Sequence, residues 1–152
     1  MYLVENINNF NINNVYFSSS LENTVIDEGT FSKLIYSTSD VVINGIYLLC
    51  SFSNTTVEKI AYNKFKISWN KDKNAALIEA MKMIEHKIMV KYGKKKYSNQ
   101  LSNFLDYNNF RIFSEEKTLN SNSDFILRIS GIWENEKDGC GITYKFLEVN
   151  TI

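Results

Sequence analysis

Proline is absent from this chain, histidine occurs once, and cysteine occurs twice. Cys50 and Cys140 stand far apart with no CxxC spacing, and His86 alone cannot complete a metal site with them. Both cysteines therefore read as reduced packing residues, since free cysteine behaves as a small buried hydrophobe. No GxxxxGK run occurs, so a glycine-rich phosphate loop is excluded. No stretch approaches the roughly 18 apolar residues a membrane span requires, and "MYLVENINNF" is interrupted by Glu5 and by asparagines where a leader would be apolar. The expectation is a soluble intracellular protein, in the cytoplasm or at a viral replication site, with no membrane contact and no cofactor. The missing proline accompanies abundant Lys, Asn, Ile, Tyr and Phe, a bias that an AT-rich coding sequence produces whatever the fold.

That bias does not dictate where the charges fall. The 152 residues carry 17 basic and 17 acidic side chains and sum to zero. Between Val57 and Tyr97, however, eleven lysines face only Glu58, Asp72, Glu79 and Glu85, which leaves +7 there and −7 in the remainder. Charges more than roughly 8 to 10 Å away are screened at physiological salt, so the basic region can hold an anion although the whole chain is neutral. Its densest part is "VKYGKKKYSNQ", Val90 to Gln100, with four lysines and two tyrosines around Gly93.

The hydrophobic pattern predicts strands, one long helix, then strands. "FSKLIYST" (Phe31 to Thr38) and "VVINGIYLLCSFS" (Val41 to Ser53) are rich in β-branched and aromatic residues, with Gly45 placed for a bulge. "KIAYNKFKISW" alternates Phe65, Ile67 and Trp69 with Lys64, Lys66 and Ser68, as one strand would. In "NAALIEAMKMIEHKIMVKYG" the period changes: Leu77, Met81, Ile84 and Ile88 form a helical stripe. Asp72 or Asn74 can cap its start, and Gly93 suits the left-handed residue after its end. "NQLSNFLDY" predicts a short helix through Leu101, Phe104 and Leu105, and Asn120 to Asp124 reads as a loop.

The last third is a hairpin, with Phe125, Leu127 and Ile129 on one strand and Ile142, Tyr144 and Phe146 on the other, joined by a turn at Asp138 and Gly139. Gly131 and Gly141 suit a strongly curved pair, and Arg128 and Lys145 are set to face one another across it. The order predicts one α+β, mostly β domain over 1–152. Its form is an OB-like curved antiparallel sheet or five-stranded barrel, with the long helix between the third and fourth strands. Residues 1–30 are left as an extra strand or arm.

"ILRISGIWENEKDGCGITYKFLEV", Ile126 to Val149, resembles the closing strands of single-stranded DNA-binding proteins of large DNA viruses and linear cytoplasmic plasmids: an apolar strand, Gly-Ile-Trp, an acidic turn, then "GITYKF". The resemblance implies a barrel that binds unpaired DNA in replication, recombination or repair. Several relatives of the phage type end in an acidic tail that recruits replication proteins. "FLEVNTI" has none, so recruitment would need another surface.

Binding single strands requires cations along a phosphate track and flat rings on which bases stack. Lys64, Lys66, Lys91, Lys94, Lys95, Lys96, Arg128 and Lys145 are the candidates for the first. Trp69, Tyr92, Tyr97, Trp133 and Tyr144 are candidates for the second, with burial in the core the competing assignment for Trp69. The partner class is single-stranded DNA, with RNA and homo-oligomers left open.

Catalysis has little support. "DGCG" is similar to the glycine-flanked nucleophile of viral cysteine proteases, but Ile142 stands where a further glycine belongs and His86 falls inside the helix. The acid pairs Glu115–Glu116 and Asp27–Glu28 sit in polar stretches and read as solvated surface. The alternative to nucleic acid is a non-catalytic viral structural or host-directed domain whose exposed rings meet another protein.

Overall fold

The computed structural model describes residues 4–19, 21–22, 29–115 and 124–149. Within them the protein is α+β and mostly strand. The first third supplies β1 (Glu5–Asn6), β2 (Val15–Phe17), β3 (Leu21–Glu22), β4 (Gly29–Ser37), β5 (Val42–Asn44) and β6 (Ile46–Ser51). There follow β7 (Thr56–Ala61), β8 (Lys64–Ser68), α1 (Ala75–Tyr92), α2 (Gln100–Leu105), β9 (Asn109–Phe113), β10 (Asp124–Asn135) and β11 (Gly139–Glu148). These strands form two open sheets, one of eight strands and one of three, and α1 follows β8. The N-terminal residues contribute the short edge strands β1 and β2, and β1 runs parallel to β6. Of the expected loop Asn120 to Asp124, only Asp124 falls within the described residues, as the first residue of β10.

β10 organises the larger sheet. Along one edge it pairs first with β6, from Asp124 to Ile129, and then with β4, from Gly131 to Asn135; along the other it pairs with β11 throughout. The change of partner coincides with a register shift between Ile129 and Gly131, where Ser130 is the extra residue of a bulge. Only glycine fits at 131, because a Cβ there would lie 2.2 Å from the Ser32 carbonyl oxygen. Gly45 is the matching break on the neighbouring segment: its φ of +79° divides the expected single strand into β5, which pairs with β4, and β6, which pairs with β10.

"KIAYNKFKISW" is the end of one strand, a turn and another strand. Asn63 adopts a left-handed φ of 57°, and β7 folds back on β8. Alternation within β8 holds as expected, with Phe65 and Ile67 buried and Lys64, Lys66 and Ser68 on the outer face. β9 completes this three-stranded sheet.

The core is rich in rings. Phe52, Trp69, Phe110, Phe125 and Phe146 pack together, and Phe110 and Phe146 stack with centroids 4.4 Å apart and planes 10° apart. Helix α1 presents Met81, Ile84, Ile88 and Met89 to this core, with Leu77 at its margin. Gly93 closes the helix at φ 95°, its N–H donating to the Val90 carbonyl at 3.0 Å while the Lys94 N–H donates to Met89 at 3.2 Å. Asn74 does not cap α1 with its side chain. Its amide instead clamps Ser53, accepting from the backbone N–H at 2.7 Å and donating to the carbonyl at 2.9 Å.

The placement of α2 depends on Glu85. This carboxylate is fully buried on α1, and its two oxygens accept from the N–H groups of Leu101 and Ser102, both at 3.0 Å, and from the Ser102 hydroxyl. Those are donors at the open start of α2, which have no partner within the helix. A buried acid there satisfies them and fixes α2 beside β11.

Candidate functional site

A cleft of about 630 Å³ lies between α2 and the β10–β11 hairpin, lined by Gln100, Asn103, Phe104, Tyr107, Trp133, Ile142, Thr143 and Tyr144. Four of these are aromatic. The helical contribution follows from spacing: Gln100, Asn103 and Phe104 sit at i, i+3 and i+4 of α2 and so share a side, Tyr107 is added by the turn after the helix, and Leu101 and Leu105 on another side are buried. Tyr107 is 75% exposed.

Trp133 reaches the cleft across a glycine. It is in register with Gly141, and a Cβ on Gly141 would lie 3.0 Å from the indole Cζ2 and 3.1 Å from Nε1. The missing side chain lets the ring lie across β11 and donate its N–H to Gln100 Oε1 at 3.2 Å. The ring is half-buried, which leaves part of its surface in the cleft. Tyr144 is held on the cleft wall beside Phe104, at 6.1 Å between centroids. Burial pushes the Tyr144 phenol up to about 12, with the Glu85 carboxylate adding to the effect.

The lysine-rich segment runs alongside the same hairpin. The Ser98 N–H donates to the Cys140 carbonyl at 2.7 Å, and the Cys140 thiol contacts the Lys96 carbonyl at 3.7 Å. Lys94 pairs with Glu134, the neighbour of Trp133, at 3.4 Å. Lys95 and Lys96 are exposed and have no ion-pair partner among the described residues. Further along the hairpin Arg128 and Lys145 are directly opposite, with Tyr47 of β6 next in the row. The Arg128 guanidinium carbon stands 5.6 Å from the Tyr47 ring centre, and its Nε is buried with no hydrogen-bond partner among the described residues. The guanidinium thus leans over β6, on the side of β10 away from Lys145, so register opposition does not by itself bring the two charges together.

Compared with family models, with curated proteins and with solved structures, the chain matches none.

Lys94, Lys95, Lys96, Arg128, Trp133, Tyr144 and Lys145 therefore lie along one hairpin, with Tyr144 and Lys145 on opposite faces of β11; Tyr97 is also brought to the hairpin by its chain neighbours but turns its ring to His86, and the remaining candidates lie elsewhere. Trp69 is 6% exposed and packed between Phe52 and Phe110, so it cannot serve as a stacking platform. It extends the apolar row of Phe65 and Ile67, which accounts for its burial. Tyr92 turns inward, edge-on to Phe17 at 5.1 Å with its hydroxyl 3.2 Å from that of Ser32. Lys91 donates to the Ile12 carbonyl at 2.9 Å and covers the Tyr16 ring. Tyr97 hydrogen-bonds His86 Nδ1 at 2.8 Å, and burial raises its phenol pKa, with Glu85 contributing. Lys64 and Lys66 lie on the outer face of the three-stranded sheet, Lys66 in a row with Glu58 and Arg111, Lys64 over the exposed ring of Phe113 at 5.6 Å.

Phe104, Tyr107, Gln100 and Asn103 are the members of the site that sequence reasoning missed. Gln100, Asn103 and Phe104 share a side at i, i+3 and i+4, but Leu101 and Leu105 carry the apolar signal of α2 and Tyr107 lies in the turn beyond it. Among the described residues no helix is long and apolar enough to cross a membrane, and no group of three His, Cys, Asp or Glu side chains could hold a metal.

Proposed function

We propose that this chain binds single-stranded nucleic acid, DNA in the first instance, with little regard to sequence and without catalysing a reaction. The observation that carries the reading is the meeting of two unlike parts: a cleft walled by Trp133, Phe104, Tyr107 and Tyr144, and a lysine segment bonded to the strand that carries Cys140 beside it. Unpaired bases expose flat faces, and each one stacked on a ring contributes roughly 1 to 3 kcal/mol. Lys95 and Lys96, exposed and without an ion-pair partner among the described residues, are available to phosphates on the segment bonded to β11, and Arg128 and Lys145 stand in register further along the hairpin. A duplex holds its bases inside and offers this cleft no stacking partner.

A closed barrel is not required for this. In an OB-like arrangement the binding wall is a curved sheet; here the bulged β10–β11 hairpin and α2 provide a comparable wall. The resemblance of Ile126 to Val149 to the viral and plasmid DNA-binding family points the same way, and with it a role wherever replication, recombination or repair leaves strands unpaired.

Titration with single-stranded DNA, duplex DNA and single-stranded RNA of equal length tests the proposal. Tryptophan fluorescence should fall as oligo-dT is added, and the affinity should drop as salt rises. Equal affinity for duplex and single strand, or no binding to either, would favour a protein partner in the cleft.

A further inference from the structure

The outer face of the three-stranded sheet shares no residue with the cleft and carries a pattern of its own. Phe65 and Ile67 of β8 and Phe110 and Ile112 of β9 turn into the core, so Lys64, Lys66, Arg111 and Phe113 point the other way. Register arranges these four in two rows, Lys66 beside Arg111 and Lys64 beside Phe113. Neither Lys66 nor Arg111 has an ion-pair partner among the described residues, although Glu58 of β7 stands next to Lys66 in the same row. The second row ends in an apolar surface. Phe113 is 69% exposed, with the Lys64 ammonium 5.6 Å from its ring centre, and Tyr62 in the adjoining turn is 86% exposed.

We propose that this face docks an extended acidic segment of a partner protein, one that presents a carboxylate and an apolar side chain two residues apart. Adjacent rows on one face of a sheet are about 7 Å apart, and an extended peptide returns a side chain to the same side at that same step. A carboxylate over the first row meets the planar fork of Arg111 and the Lys66 ammonium together. The side chain two positions along then falls on Phe113 and Tyr62. Charge placement favours a peptide over a nucleic-acid strand here. A continuous phosphate chain crossing the first row runs onto Glu58, and along the face it meets an exposed ring in place of a second pair of cations, whereas a lone carboxylate needs only the one pair.

Fluorescence anisotropy of labelled ten-residue peptides tests this with the full chain. The peptides are built of serine and threonine around a central Asp-Thr-Phe, Asn-Thr-Phe or Asp-Phe-Thr. Asp-Thr-Phe should bind best. Asn-Thr-Phe, which lacks the charge, and Asp-Phe-Thr, which sends acid and ring to opposite sides, should each be weaker by about three- to tenfold. Replacing Lys66 and Arg111 together by Ala, or Phe113 by Ser, should weaken Asp-Thr-Phe by a similar factor while oligo-dT affinity and melting temperature stay near native. Absence of binding at millimolar peptide, or equal binding of all three peptides, overturns the inference and leaves the single-strand reading intact. A Lys66→Ala/Arg111→Ala variant that keeps peptide affinity but loses oligo-dT affinity would instead give the face to nucleic acid. Self-association of the native chain in sedimentation, lost in that variant, would give it to a second copy; either result also overturns the proposal.

Discussion

Neutralising the lysine segment should flatten the salt dependence of binding by a calculable amount. Each phosphate paired with a cation on a single strand contributes about −0.7 to the slope of log K against log salt. Lys95 and Lys96 are exposed and without ion-pair partners among the described residues, so replacing both by Ala should lower the slope by about 1.4. Over a fourfold rise in salt, the native protein should then lose about sevenfold more affinity than the variant. Lys94 behaves differently because Glu134 already holds it at 3.4 Å. Lys94→Ala should move the slope by less than about 0.7, and Glu134→Ala, which releases the ammonium, should steepen it by up to that amount. Anisotropy titrations of labelled oligo-dT across the salt range provide the lines. If the native and Lys95→Ala/Lys96→Ala lines run parallel, these ammonium groups do not meet phosphates and the interface has been placed on the wrong flank.

Trp133→Ala should weaken binding by about 1 to 3 kcal/mol, most visibly at high salt where stacking remains, and equal affinities there would remove Trp133 from the site. Lys64→Ala with Lys66→Ala should leave oligo-dT affinity near the native value, because that face is separate from the cleft; a large loss in the same titration would enlarge the interface to the second sheet. Glu85→Ala strips buried N–H groups of Leu101 and Ser102 of their acceptor and should cost about 2 to 4 kcal/mol, read as a fall in melting temperature and loss of the cleft. Burial raises the Cys50 thiol from 9.0 to about 12 and the Tyr144 phenol from 10.0 to about 12. The folded state therefore holds protons that the unfolded chain gives up, so stability is complete below pH 9 and falls as pH rises toward about 12. Denaturant midpoints that stay level from pH 9 to 11 would contradict that burial.

Local signals survive in the fold where one element decides them. The stripe of Met81, Ile84 and Ile88, the left-handed Gly93, the short helix from Gln100 and the hairpin turn before Gly139 are all where the pattern placed them. Facing positions within that hairpin were legible too, since Arg128 and Lys145 meet in register. What could not be read depends on partners distant in sequence. No period announces that Glu85 will reach the start of α2, or that Asn74 will hold Ser53. The Tyr62–Asn63 turn is masked by alternation that continues on both sides of it, and Asn109 to Phe113 is too short, at five residues, to carry a strand signal of its own. For the site the division is similar. The hairpin and lysine residues stood out by composition, whereas the helix wall of the cleft and the Trp133 to Gln100 contact exist only after α2 docks.

The position of β10 constrains how the molecule can be made. β4 and β6 both depend on a strand that begins at residue 124, so a nascent chain emerging from the ribosome has hairpins but no template joining them. The larger sheet must wait until the last of its central residues has been translated, and its assembly closes long chain loops at once rather than growing segment by segment. A polypeptide stopped before Asp124 should accordingly stay soluble only with help from chaperones, because it lacks the strand on which β4 and β6 pair.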